Sequence, residues 1–435
     1  MILPRPTTKP RRRAGDIVRV ASGNFLEMYD FMVFGYFAAA IGAAYFPSSD
    51  PLGTLLKSLA TFGVGFLMRP LGAVFFSHIG DKSGRRRMML LSVALMTAAM
   101  LATALLPTRA AIGPAAGWLL LLLRCVMGFS VGGEYTGVVA YLLEGASERR
   151  RGLITSSASA ASEVGGLLAV GVSALTVSLM SDADLDRWGW RVPFLVGAAL
   201  AASVWVARST MHESPEFRRQ QEKGTIPDVP FRHALANHRA GIARGFSISA
   251  LGSITYYVGI TYVPAFLTSV GSLAEREALW LSTVAAVAVI LVTPLIGALS
   301  DRIGRKPVLV TLCVGSAALP VTMFSLMASS ARTEALIGAV ILASLAGAVS
   351  AVGAVATAEQ FPGEGRITGL ALGATMATAI FGGLTPYAAQ LLVERTRWAT
   401  APGIMIAIVA VCVMPVLLMM RETAPIATRS RSGSS

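Results

Sequence analysis

The chain has 435 residues, of which 54% are hydrophobic and only 14% charged, with mean hydropathy +0.64. About 25% charge is usual for a soluble domain, so a water-soluble enzyme, a disordered regulator and a secreted disulfide scaffold are all excluded. The formal charge of +13 would suit a nucleic-acid binder, but the positions of the basic residues give it another explanation.

A membrane helix needs about 20 mostly apolar residues. Twelve such runs follow one another, at 18–45, 55–79, 88–107, 113–143, 152–178, 191–208, 243–269, 279–300, 307–328, 334–358, 366–393 and 401–420. They are continuous, without the alternation of barrel strands. Turn-rich stretches such as Phe46-Pro47-Ser48-Ser49-Asp50-Pro51 and Phe361-Pro362-Gly363-Glu364-Gly365 separate them. No cleavable signal peptide is expected, because the first run carries Glu27 and Asp30 and is too long for one. Cys125, Cys313 and Cys412 fall inside apolar runs without metal spacing.

With the N-terminus in the cytoplasm, inside segments hold 27 of the 37 Lys and Arg and outside loops hold eight. The positive-inside bias therefore places both termini in the cytoplasm, with an even number of spans. It also accounts for the net charge without nucleic acid.

The chain repeats itself. Asp81-Lys82-Ser83-Gly84-Arg85-Arg86 follows the second span, and Asp301-Arg302-Ile303-Gly304-Arg305-Lys306 follows the eighth, 220 residues later. Glu144 and Arg151 after the fourth span are echoed by Glu359 and Arg366 after the tenth, 215 residues later. Two offsets near half the length imply an all-α membrane protein of two parallel six-helix halves, 1–208 and 243–435. A basic cytoplasmic linker with a short surface helix, 209–242, joins them. Parallel halves with a midplane site between them describe an alternating-access transporter.

The two D-x-x-G-R loops resemble the signature of the major facilitator superfamily. Gly23-Asn24-Phe25-Leu26-Glu27-Met28-Tyr29-Asp30-Phe31, Met68-Arg69-Pro70-Leu71-Gly72, Gly128-Phe129-Ser130-Val131-Gly132-Gly133-Glu134-Tyr135 and Trp188-Gly189-Trp190-Arg191-Val192-Pro193-Phe194 resemble its metabolite–proton symporter branch. Ala377-Thr378-Ala379-Ile380-Phe381-Gly382-Gly383-Leu384-Thr385-Pro386 looks most like citrate and tricarballylate carriers. The resemblance implies the major facilitator fold and import of a tricarboxylate with protons across a bacterial inner membrane. Other members of the branch carry 2-oxoglutarate, shikimate, or proline and betaine, and these remain alternatives. A non-transporting sensor is the remote alternative, and the short linker and tail offer it no output module. No enzyme activity, cofactor or metal is expected. The expected partners are a small organic acid, protons and the lipid bilayer, and the expected state is a monomer.

Charges inside the spans mark candidate sites. An ionised side chain at mid-bilayer costs about 2.5–3.5 kcal/mol, so Glu27, Asp30, Arg69, Arg124, Glu134 and Glu163, left alone, would cost roughly 15–20 kcal/mol. They must pair, face water or carry protons. Asp30 lies about 18 Å into the first span. Glu27 is one turn nearer the cytoplasm and on the same side, so both are candidates for proton coupling, with a fixed ion pair as the alternative. Arg124 shares a helical face with Gly128, Val131 and Tyr135. Its fork suits a substrate carboxylate, or else a permanent partner such as Asp30 or Glu134.

Glu134 and Arg69 read as structural. Glu163 is expected to line the pocket and to discriminate a third carboxylate. The spans of the second half carry almost no charge, and Tyr256, Tyr257, Tyr262, Thr378 and Thr385 supply hydroxyls there. We expect Arg124, Tyr135, Glu163, Tyr257 and Thr378 at the substrate. We expect Asp81, Arg85, Glu144, Arg151, Asp301, Arg305, Glu359 and Arg366 to latch the inner face as gating elements. The sequence contains no G-x-x-x-x-G-K-(S/T) loop for a nucleotide, so the energy source is expected to be an ion gradient.

Overall fold

The computed structural model describes residues 14–48, 51–329 and 331–425, and among these it is helical without strands. Twelve membrane-length segments follow in order. Helix α1 (Ala14–Tyr36) bends by 67° into Ala38–Tyr45. Next come α2 (Pro51–Ser83), α3 (Arg85–Leu105), α4 (Ala115–Gly145), α5 (Arg151–Leu179) and α6 (Arg191–Ser209). The second set is α7 (Arg239–Tyr256, continuing to Ser269 across a 43° bend), α8 (Glu275–Ile303), α9 (Arg305–Met327), α10 (Arg332–Glu359), α11 (Arg366–Thr396) and α12 (Ala401–Met419).

Several helices outrun the apolar runs that signal them. Helix α2 covers 51–83 rather than 55–79, and α7 starts at Arg239, inside the segment expected to be linker. Hydropathy marks only the length that must sit in hydrocarbon. Beyond it, backbone hydrogen bonds still favour helix. The segment between the halves holds two short helices, Pro215–Lys223 and Pro230–Asn237, where one was expected. The first starts on a Ser214 cap and stops at Gly224 in the left-handed region, a start and stop readable from its residues.

Lipid tails are as apolar as leucine, so helices in a bilayer associate through close backbone contact rather than by hiding oil from water. The α2–α4 crossing shows this. A Cβ on Gly128 would strike the Gly65 carbonyl, and one on Gly72 would strike the Phe129 carbonyl. Large side chains left on the outer surface, such as Leu67, Leu71, Leu291 and Leu295, face the lipid position.

The helix pairs α1–α5, α3–α6, α8–α10 and α9–α12 pack within the halves, and α5–α8 and α2–α11 pack between them. At the turns between α2 and α3 and between α8 and α9, Gly84 and Gly304 have φ of +105° and +115°, which a side chain would oppose. Their equivalence fits the internal repeat.

Candidate functional site

Two π-helical turns, Tyr257–Thr261 in α7 and Ala371–Thr375 in α11, loosen the helices that face the first half. Between them and α1, α2, α4, α5 and α10 lies a central cavity of ≈ 160 Å³. Serine, threonine and tyrosine hydroxyls dominate its polar lining, including Tyr135, Ser159, Ser253, Tyr257 and Thr378. The only charged residues among the described lining are Glu27 and Arg69. A smaller cavity of ≈ 30 Å³ adjoins it, walled by Glu27, Asp30, Arg69 and Arg124.

Two carboxylate–arginine pairs stand side by side there. Glu27 and Arg69 are 2.8 Å apart. Arg69 also lies 4.1 Å above the Phe66 ring and shares the cavity wall with Tyr257 of the second half. Asp30 and Arg124 form a forked contact of 2.8 and 3.4 Å, both nearly fully buried. Arg124 also donates to Thr103 at 3.2 Å and sits 4.9 Å from the Phe34 ring centre, but its Nε finds no partner. Of the two partners open to Arg124 from sequence, the fold selects Asp30.

Glu134 is committed elsewhere. It meets Arg208 at 2.6 Å and accepts from Ser92 at 2.5 Å, both ion-pair side chains being fully buried. Arg208 in turn donates to the Arg19 carbonyl at 3.0 Å and to the Val20 carbonyl, which ties α6 to α1. Arg69, read from sequence as structural, pairs with Glu27 and faces both cavities. Glu163 is not in the cavity wall. It lies behind Tyr256, whose hydroxyl donates to its Oε1 at 2.5 Å. Tyr135, Tyr257 and Thr378 do line the cavity, and Thr378 pairs with Ser253 at 3.0 Å.

The eight loop residues form two matched clusters at one end of the bundle. Asp81 accepts from the Thr368 amide at 2.9 Å, the Thr368 hydroxyl at 2.8 Å and the Ile367 amide at 3.4 Å, all at the start of α11. Arg85 holds Asp81 at 3.3 Å and Glu144 at 3.1 Å, and Arg366 holds Glu144 at 3.1 Å. In the mirror cluster, Asp301 accepts from the Gly152 and Leu153 amides at 2.8 and 2.9 Å, at the start of α5. Arg305 meets Asp301 at 2.9 Å and Glu359 at 3.2 Å, and Arg151 approaches Glu359 at 3.7 Å. Both clusters join the halves, so this end is closed.

Sequence reasoning missed two members of these clusters. Glu213 accepts from the Arg85 amide at 3.0 Å and Glu422 from the Arg305 amide at 2.8 Å, each capping the helix after its motif. Both lie in chain that follows the last helix of a half, and the echo of Met211-His212-Glu213-Ser214 in Met420-Arg421-Glu422-Thr423 is the signal that could have found them.

Comparison with known proteins fits this architecture. Residues 17–226 match the family model "Sugar (and other) transporter" and residues 249–434 match "Major Facilitator Superfamily". A citrate-proton symporter of Klebsiella pneumoniae is 32% identical over 92% of this chain and 90% of its own.

The chain belongs to the major facilitator superfamily.

Other curated members of the superfamily are similar at the same level. The glycine betaine/proline/ectoine/pipecolic acid transporter OusA of Dickeya dadantii is 34% identical over 94% of this chain and 83% of its own. The alpha-ketoglutarate permease of Escherichia coli is 36% identical over 88% of each. The proton:xylose symporter XylE bound to 6-bromo-6-deoxy-D-glucose superposes with a TM-score of 0.77 at 18% identity, covering 94% of this chain and 96% of its own, which shows the shared fold. The chain is thus a multi-pass membrane transporter of the major facilitator type, not an enzyme.

Proposed function

We propose that this transporter is a proton symporter that imports an organic carboxylate, citrate or tricarballylate, across a bacterial inner membrane. The observation that carries the reading is the adjacent pairs Glu27–Arg69 and Asp30–Arg124 at the cavity wall. Each guanidinium is neutralised by a carboxylate. Protonating the carboxylate frees the fork for a substrate carboxylate, so proton and anion load together. Asp30 and Glu27 are the proton carriers in this scheme, and Arg124 and Arg69 receive the substrate. Tyr135, Tyr257 and Thr378 orient it by hydroxyl hydrogen bonds.

Coupling to a cation is required on energetic grounds. A potential of 100 mV, negative inside, opposes entry of each negative charge by about 2.3 kcal/mol, or about 7 kcal/mol for a trianion. The segments rich in Lys and Arg, with both termini, are assigned to the cytoplasm. The closed end then faces inward. Asp81, Arg85, Glu144 and Arg366, with Asp301, Arg305, Glu359 and Arg151, form the latch that opens as the halves 1–208 and 243–435 rock about the site. We infer a monomeric transporter, since each chain contains a whole cavity.

One observation favours a second reading. The charged lining of the cavity is one cation and one anion, and Tyr135, Tyr256 and Tyr257 offer aromatic faces, a setting that suits a zwitterion such as betaine. Uptake of labelled citrate into proteoliposomes with an imposed inward proton gradient decides between them. Gradient-driven uptake blocked by tricarballylate but not by betaine supports the tricarboxylate. Absence of citrate uptake, with betaine or 2-oxoglutarate accumulated instead, overturns it.

A further inference from the structure

Among the four carboxylates buried in the spans near the site, Glu27, Asp30 and Glu134 each have an arginine within 2.8 Å. Glu163 has none. Among the described residues no Lys, Arg or His forms an ion pair with it, and its hydrogen-bond partner is the Tyr256 hydroxyl at 2.5 Å. It is 6% exposed and lies about 18 Å along α5, near mid-membrane. The titratable groups that approach from the elements packed around it are few. From α1 comes Glu27, already paired with Arg69. From α4 comes Tyr135, and from α7 come Tyr256 and Tyr257. Helices α8 and α10 carry no acid, base or tyrosine in their middle portions. An ionised carboxylate in this place would be a buried charge without a counter-ion, which costs several kcal/mol. A neutral acid can instead accept from Tyr256 and keep its own proton.

The bond also crosses between halves, from α5 of the first to α7 of the second. We propose that Glu163 carries a proton in this closed state and clasps the halves through Tyr256, and that it surrenders the proton when the halves re-pack and Tyr256 is withdrawn. Glu163 is then a third coupling carboxyl beside Glu27 and Asp30. Tyr256 acts as a positioning residue that covers the acid from water, and burial without a counter-ion keeps the acid neutral. The inference rests on the reading of the chain as a proton symporter, but its first test needs no substrate.

Infrared spectra of the purified full-length protein in lipid vesicles, at neutral pH in substrate-free buffer, report protonated carboxyls through their C=O stretch. A band present in the wild type and missing from Glu163→Gln supports the proposal, and identical bands overturn it. Should Glu163→Gln fail to fold, Tyr256→Phe decides. Removing the donor shifts the band to higher frequency if Glu163 is the protonated group, and an unmoved band overturns the assignment. Coupling is then read from protons moved per substrate, with citrate, 2-oxoglutarate and betaine tried in turn. Glu163→Gln moves one proton fewer, whereas an unchanged ratio overturns the coupling role. Failure of citrate uptake with the band in place would sink the tricarboxylate reading alone.

Discussion

Asp81 and Asp301, 220 residues apart, do the same thing to opposite halves. Asp81 caps the first amides of α11, and Asp301 caps the first amides of α5. A carboxylate at a helix N-terminus satisfies amides that have no partner in the helix and meets the positive end of its dipole. Each cap is further held by the arginine of its own motif. The closed end therefore depends on two acids reaching across the interface. Losing one cap typically costs about 1 kcal/mol and up to about 2. Asp81→Ala and Asp301→Ala each shift the closed–open balance about 5- to 30-fold toward opening. Spin-label distances between α2 and α11, and between α5 and α8, at the motif end report it. Unchanged distance distributions in both variants would show that the caps do not hold this end closed.

Arg124 is nearly buried and contacts Asp30 through both terminal nitrogens. Removing one partner leaves an uncompensated charge. Arg124→Gln, which strands the Asp30 carboxylate, lowers stability by about 3–5 kcal/mol and abolishes uptake. Asp30→Asn keeps a hydrogen bond to the guanidinium but leaves its charge uncompensated, so it costs a similar amount, and it removes dependence of uptake on the proton gradient. Arg124→Lys does not restore transport, because an ammonium cannot make the forked contact. Thermal unfolding in detergent and gradient-driven uptake measure the two effects separately. Wild-type gradient dependence in Asp30→Asn would remove Asp30 from the coupling scheme.

How much of this was readable in advance depended on the kind of signal. Twelve spans were legible because a bilayer imposes length and apolarity on every crossing. The clusters around Asp81 and Asp301 were legible because the motif repeats. Asp30 with Arg124 was one of two pairings open from sequence, since depth along a helix can be counted but rotation toward a neighbour cannot. Arg69 could not be oriented for that reason. Its neighbours are apolar whether they face lipid or protein, so nothing in 66–72 says which side meets the cavity. Arg208 was counted as an inside charge at the end of a span, and its burial against Glu134 depends on how α6 crosses α4. The Glu163–Tyr256 bond joins two halves, and no spacing along the chain encodes such a contact. The π turns of α7 and α11 left no trace in composition, because they are set by packing around the cavity.

Glycine positions at the site divide into those that set helix separation and those that shape space. A Cβ at Gly128 would overlap the Gly65 backbone beneath the small cavity, whereas a Cβ at Gly252, which lines the large cavity, would meet nothing within 4 Å. Gly128→Ala forces α2 and α4 apart and disturbs both arginine pairs, so it lowers unfolding temperature and uptake together. Gly252→Ala leaves the unfolding temperature unchanged and alters only which substrates fit, raising KM for the bulkiest. The pair of variants, compared by thermal unfolding and competition uptake, checks the distinction. Equal loss of stability in both would show that the α2–α4 contact is not the limiting one.

The Glu134–Arg208 pair tests whether a buried charge in this transporter serves stability or transport. Both side chains are fully buried, and Arg208 reaches from α6 to the Arg19 carbonyl of α1, while Ser92 of α3 supports Glu134 of α4. Four helices of the first half thus meet at one ion pair, which lines neither cavity. Arg208→Met alone strands a carboxylate and leaves the α1 carbonyls without their donor, and costs about 3–5 kcal/mol. Glu134→Gln alone strands the guanidinium and costs a similar amount. Replacing both, as Glu134→Gln with Arg208→Met, removes the charge imbalance and recovers part of the loss, because neither charge then remains uncompensated. A double-mutant cycle on unfolding temperature measures the coupling, with uptake normalised to folded protein as the second readout. Recovered stability with normal uptake per folded molecule assigns the pair to the scaffold. Recovered stability with uptake still lost would mean that the charge itself takes part in the transport cycle, and Glu134 would then join Glu27 on a proton path toward α6.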